Sequence, residues 1–115
     1  MRADRSSGTL VISELPEYMT GEPTNQSEAP DYEELNRLIT EPENVVLDLG
    51  HTRFMNSATL GLLVRIRDAV LRKGCRIALC ALDNRLVNTF TITRLTLVFD
   101  IYRTREEALA ALAIA

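Results

Sequence analysis

With one histidine and two cysteines in 115 residues, the chain has little from which to build a metal or redox centre. A zinc site needs clustered His and Cys ligands, and His51, Cys75 and Cys80 are scattered. No metal or cofactor is expected. Two cysteines cannot make a disulfide framework, and a separation of five places Cys75 and Cys80 on opposite faces if their segment is one strand. They read as reduced thiols.

Neither phosphate-cradling glycine loop, GxGxxG or GxxxxGK[ST], is present, which disfavours a nucleotide enzyme. The G-x-S-x-G elbow of serine hydrolases is also missing: Ser57 lies in FMNSATLG, with His51 only six residues upstream. Asp48 ends an apolar run and reads as a loop anchor rather than a catalytic acid. By elimination the chain is a binding or switching module, not an enzyme.

No apolar run approaches the roughly twenty residues of a membrane span, and no signal-peptide pattern opens the chain. A cytoplasmic protein is expected. The formal net charge of −3 lacks the basic excess of nucleic-acid binders, so no direct nucleic-acid partner is expected. Residues 14–48 hold ten acids and one base, whereas residues 49–115 hold ten bases and five acids. This uneven distribution is read first as a solvated surface.

What is present is an average globular composition, 46% hydrophobic and 25% charged, with enough apolar material for one core. Residues 1–8 (MRADRSSG) read as a flexible leader, and residues 9–115 as a single domain. Thr9 to Leu15 is a strand candidate stopped by Pro16, and residues 21–30 form a polar, proline-containing loop. Asp31 with Glu34 reads as a capping box, followed by Tyr32, Leu35, Leu38 and Ile39 at helical spacing.

Val45 to Leu49 is a compact apolar strand. A longer helix runs from Ser57 to about Lys73 and ends at Gly74, a residue suited to the left-handed position after a helix. Its apolar arc is placed on Thr59, Leu60, Leu63, Val64, Ile66, Val70 and Leu71, which leaves Leu62 among polar residues and Arg67 within the arc. Arg76 to Leu82 reads as a buried strand and Asp83 as the cap of a helix with Leu86, Val87 and Phe90. Leu97 to Tyr102 is a further strand, and Thr104 with Glu107 opens an Ala-rich final helix. Alternating strands and helices predict an α/β fold with a mixed, mostly parallel sheet of four to five strands and helices packed against it.

The junction VVLDLGHTRFMNSATLGLLVRIRDAVLRKG carries a recognisable pattern. Phe54, Met55, Asn56, Ser57, Ala58, Leu60 and Gly61 fit [FL]-[ML]-[DN]-S-[SA]-x-L-G at the mouth of a helix, and RIALCALDNRLVNTFTITRLTLVFDIYRTREEALAAL continues the match. Over about residues 45–112 the chain resembles the STAS domain family, the anti-sigma factor antagonists of bacteria. The resemblance implies a STAS-like domain that binds an anti-sigma factor serine kinase and is switched by phosphorylation of Ser57. Asn56, Ala58, Thr59, Leu62 and Arg65 are the expected partner-binding residues, and a homodimer is compatible with this reading. The alternative is a constitutive subunit of a larger signalling or lipid-transport assembly.

Two positions depart from the family pattern. Asn56 stands where an acid is common, removing a charge the kinase would use, and Ala58-Thr59 replaces Ser-Gly. On its own physics, a serine opening a helix is either an N-cap or a place where free N–H groups and the helix dipole accommodate a phosphate.

Overall fold

The computed structural model describes residues 1–6, 8–19, 37 and 43–113. Five strands form the main sheet: β1 (Arg2–Ser6), β2 (Thr9–Ser13), β4 (Asn44–Asp48), β6 (Ile77–Cys80) and β7 (Asp100–Tyr102), in the order β1-β2-β4-β6-β7. A two-stranded parallel ribbon, β3 (Tyr18–Met19) with β5 (Phe54–Met55), stands apart from it. The helices are α1 (Ser57–Arg72), α2 (Asn84–Ile92) and α3 (Arg105–Ala113). All neighbouring pairs of the main sheet run parallel except β1 with β2. The mixed, mostly parallel α/β domain is therefore observed. The expected helix from Asp31 lies outside the described residues, apart from Arg37, which is helical.

The flexible-leader reading requires correction. Residues 2–6 form β1, paired antiparallel to β2 from Arg2↔Ser13 to Ser6↔Thr9, with Gly8 at φ +81° in the turn. Its five residues are exposed or half-buried and mostly polar, so main-chain hydrogen bonding rather than apolar burial adds this strand. Charged Arg2, Asp4 and Arg5 also discourage further pairing at the sheet edge.

Side-chain alternation along the strands divides the core in two. Leu10, Ile12, Val45, Leu47, Ile77 and Leu79 face α1 and α2, meeting Leu63, Ile66, Val70, Leu86 and Phe90. Val11, Val46, Ala78 and Cys80 face α3, meeting Ala108 and Leu112. The crossovers β4-α1-β6 and β6-α2-β7 step the same way across the sheet, so right-handed connections put both helices on one face. Helix α3, after the last strand, covers part of the other.

The helix ends follow their capping chemistry. Asp83 Oδ1 accepts from the Leu86 N–H at 2.9 Å, and Thr104 Oγ1 accepts from the Glu107 N–H at 3.1 Å. Gly74 follows α1 at φ +77°, a left-handed conformation without the usual Cβ penalty. The strand expected from Leu97 begins only at Asp100. Leu95–Leu97 form a 3-10 turn entered through Arg94 at φ 63°, and Leu97 is 79% exposed. Arg67 resolves its place in the apolar arc by carrying its guanidinium outward, where Nε donates to the Val98 carbonyl at 2.7 Å.

Cys80 is fully buried on the α3 face, and its thiol is pushed up to about 12 by burial first and the Asp48 carboxylate second, with Arg105 opposing. At neutral pH it is a neutral, unreactive thiol. Because its folded pKa is raised above the unfolded value, the stability it contributes is complete below pH 9 and declines as pH rises from 9 towards about 12. Ellman labelling of native protein at pH 8 is expected to modify Cys75 and spare Cys80; rapid modification of both would contradict this packing.

Candidate functional site

Loop residues 49–56 link β4 to α1 and are held at several points. Gly50 N–H donates to Asp48 Oδ1 at 2.9 Å, confirming the loop-anchor reading of that acid, and Thr52 Oγ1 donates to the Pro16 carbonyl at 2.9 Å. The Arg53 N–H donates to the Glu17 carbonyl at 2.7 Å, and the Asn56 N–H to the Met19 carbonyl at 3.1 Å. These bonds fasten the loop to residues 16–19. They also set the register Tyr18↔Phe54 and Met19↔Met55. Met19 and Met55 are buried, whereas Tyr18 is 62% and Phe54 48% exposed. Two exposed aromatic side chains therefore stand at paired positions of the ribbon, with Phe54 three residues before the helix.

The N-cap is Asn56, not Ser57. Asn56 Oδ1 accepts from the Thr59 N–H at 2.9 Å and lies 2.8 Å from Thr59 Oγ1, which also donates to the Met19 carbonyl at 2.7 Å. The single hydroxyl proton is shared between those two acceptors. An asparagine cap of this kind contributes about 1 kcal/mol, and it holds the ribbon, the loop and the helix together at one point. Ser57, the first helical residue, is exposed and takes no part in the cap.

Two expected interface residues are corrected by their burial. Thr59 is fully buried with its hydroxyl committed, so it supports the surface from beneath. Leu62 is 8% exposed and belongs to the core, not to a polar face. The helix phase explains this. The buried arc is centred near Thr59, Ile66 and Val70, which brings Leu62 inward and leaves Leu71 43% exposed. Asn56 and Ala58 are half-buried beside Ser57, and Arg65 is exposed.

Ser57, Gly61 and Arg65 lie four residues apart along one exposed strip of α1. Gly61 was part of the sequence pattern but not of the expected interface. A Cβ built on it would meet nothing within 4 Å, and its backbone is not in the left-handed region. The fold itself has no use for a glycine here, although one in a helix interior costs about 1 kcal/mol relative to alanine. Tyr18, Phe54, Ser57, Gly61 and Arg65 are thus all exposed, and Arg65 is the charged residue among them.

The model of the family described as the STAS domain matches residues 24–108. The chain belongs to the STAS domain family. An anti-sigma-factor antagonist STAS domain protein from Planctomyces limnophilus superposes with a TM-score of 0.83 at 24% identity, covering 97% of each chain. An anti-sigma factor antagonist from Mycobacterium paratuberculosis gives 0.80 at 18% identity, covering 97% of this chain and 92% of that one. A sulfate transporter family protein from Wolinella succinogenes gives 0.74 at 12% identity, covering 95% and 88%. At these identities the likeness establishes the STAS fold. No curated protein matches the sequence. Among the described residues, no helix is long and apolar enough to cross a membrane, and no three His, Cys, Asp or Glu side chains gather as a metal site.

Proposed function

We propose that this STAS domain is a non-enzymatic, cytoplasmic anti-sigma factor antagonist whose docking to a serine-kinase anti-sigma factor is switched by phosphorylation of Ser57. The observation that carries this reading is an exposed Ser57 at the first position of α1, left out of the cap by Asn56 and flanked by an open docking strip. In the modification step Ser57 Oγ attacks the γ-phosphorus of ATP held by the kinase, the bond to the β-phosphate oxygen breaks, and ADP leaves. The hydroxyl proton passes to a base of the kinase.

The modified helix stays folded. A phosphate of about −1.5 to −2 charge at a helix N-terminus meets free N–H groups and the positive end of the dipole, stabilising the helix while changing the charge of the docking strip. Asn56, Ala58 and Arg65 remain the expected contact residues, joined by Tyr18, Phe54 and Gly61. Incubation with the cognate kinase and ATP, followed by intact-mass and fragmentation analysis, should place one phosphoryl group on Ser57. Transfer to another residue, or none with an active kinase, would refute the switch.

Gly61 supplies an independent check. Gly61→Ala should raise stability by about 0.5–1 kcal/mol, because it relieves a helix-interior glycine without a clash. The same methyl group should weaken partner binding in calorimetry. A variant both more stable and equally able to bind would show that the strip lies outside the interface. The shared fold of the Wolinella sulfate transporter family protein favours a second reading, a constitutive STAS subunit, in which Ser57 stays unmodified in a fixed complex.

A further inference from the structure

On the sheet face opposite α1 and α2, helix α3 leaves the carboxyl ends of β2 and β4 uncovered. A cleft of about 420 Å³ opens there, lined by Arg2, Asp4, Ser13, Glu14, Asp48, Gly50, His51 and Arg105. Alternation accounts for its walls: Arg2 opposes Ser13 across the β1-β2 ladder, Asp4 opposes Val11, and Asp48 lies two residues beyond Val46. All point to the α3 side. The carboxyl edge of a parallel sheet is also where open α/β folds hold their ligands.

We propose that this cleft binds a small zwitterion of the free α-amino-acid type. Its charged walls are largely paired already. Asp48 Oδ2 accepts from Arg105 Nη2 at 2.9 Å and Nε at 3.1 Å, and Arg2 Nε meets Asp4 at 3.1 Å. Each guanidinium has five N–H donors in a fixed fork, so both keep donors for a ligand carboxylate. Three lining groups have no such partner among the described residues.

Those groups are the Glu14 carboxylate, the His51 ring and the Ser13 hydroxyl. Ser13 is only 4% exposed as a residue, and it lines the cleft. Its hydroxyl is not a buried unsatisfied group and, having no protein partner among the described residues, is open to a ligand in the cleft. Glu14 beside it sits at φ 55°, a left-handed conformation costly for a side-chain-bearing residue, and it adds a negative charge at the rim that has no ion pair among the described residues. A ligand with an ammonium for Glu14, a carboxylate for Arg2 and Arg105, and a hydrogen-bonding group for Ser13 matches the wall in charge and in donors. A simple anion would meet three carboxylates, and a simple cation two guanidinium groups. The cleft lies on the face opposite α1, so this inference stands or falls separately from the Ser57 reading.

The test is an NMR titration of the full-length, ¹⁵N-labelled protein with glycine, L-serine and L-glutamate. Sodium acetate, methylammonium chloride and sodium phosphate at matched ionic strength are the controls. The amino acids should give saturable amide shifts at Ser13, Glu14, Gly50 and His51 at millimolar concentration, and the controls should not. Glu14→Gln and Arg2→Gln, both at exposed positions, should each weaken the response at least about fivefold, and Ser13→Ala should weaken it with the spectrum otherwise preserved. No saturable shift with any amino acid, equal shifts with acetate or phosphate, or a response unchanged in Glu14→Gln and Arg2→Gln would overturn the proposal.

Discussion

Ser57→Asp is expected to weaken binding to the proposed serine-kinase anti-sigma factor by about 100-fold, while Ser57→Ala binds as the unmodified protein does. The exposed strip of Ser57, Gly61 and Arg65 carries one base and no acid, so the proposed partner is acidic or neutral at this point. Like charges brought together at an interface cost several kcal/mol, and about 1.4 kcal/mol is a factor of ten. Isothermal titration calorimetry on the two variants and the parent protein measures the effect directly. The Ser57→Asp protein should unfold at the same temperature or slightly higher, because a carboxylate in the first turn of a helix is stabilising. Equal affinity for both variants would remove the electrostatic switch, and a large fall in stability would show that Ser57 had a structural role instead.

The largest loss of stability is expected from Phe90→Ala. Phe90 is fully buried where α2 meets the sheet, and its ring packs edge-on against Phe99 at 6.1 Å and 61°. Removing it costs the transfer of the ring, the aromatic pair and the cavity left behind, together about 3–5 kcal/mol. Total stability of a domain is only about 5–15 kcal/mol, so the variant should be marginally folded. Urea denaturation gives the number. A loss below about 1 kcal/mol would mean that the rings do not close the core as the structure places them.

Ser57 and Phe90 are legible in the sequence to different degrees. Ser57 stands out in the sequence through its motif, yet Asn56 takes the capping role that a lone serine would suggest. The choice between the neighbouring residues depends on where the chain leaves the ribbon and where Thr59 finds the Met19 carbonyl. Phe90 follows from helical spacing after a recognisable Asp83 cap. Its partner Phe99 falls within the strand expected from Leu97, but reaches the core from just before β7, after the left-handed turn at Arg94.

The side on which Leu62 lies depends on the rotation of α1 about its axis. On a helical wheel it borders the polar residues, and turning the arc by part of a turn buries it and exposes Leu71. The sheet beneath α1 decides that rotation. Tyr18 and Phe54 were equally hidden as surface residues: their ribbon pairs positions 36 apart, and no local pattern states that one side of a two-residue strand is open.

The sequence by itself determined the alternation of strands and helices, the caps at Asp83 and Thr104, the stop at Gly74 and the STAS motif, because periodicity, capping and turn chemistry act over a few neighbouring residues. Only the tertiary structure decided that residues 2–6 are an edge strand, that Thr59 and Leu62 lie inside while Gly61 lies open, and that Arg2, Ser13, Asp48 and Arg105 share one cleft. Each of those depends on contacts between distant segments. Ladder hydrogen bonds and burial across a sheet leave no signature in the spacing of nearby residues.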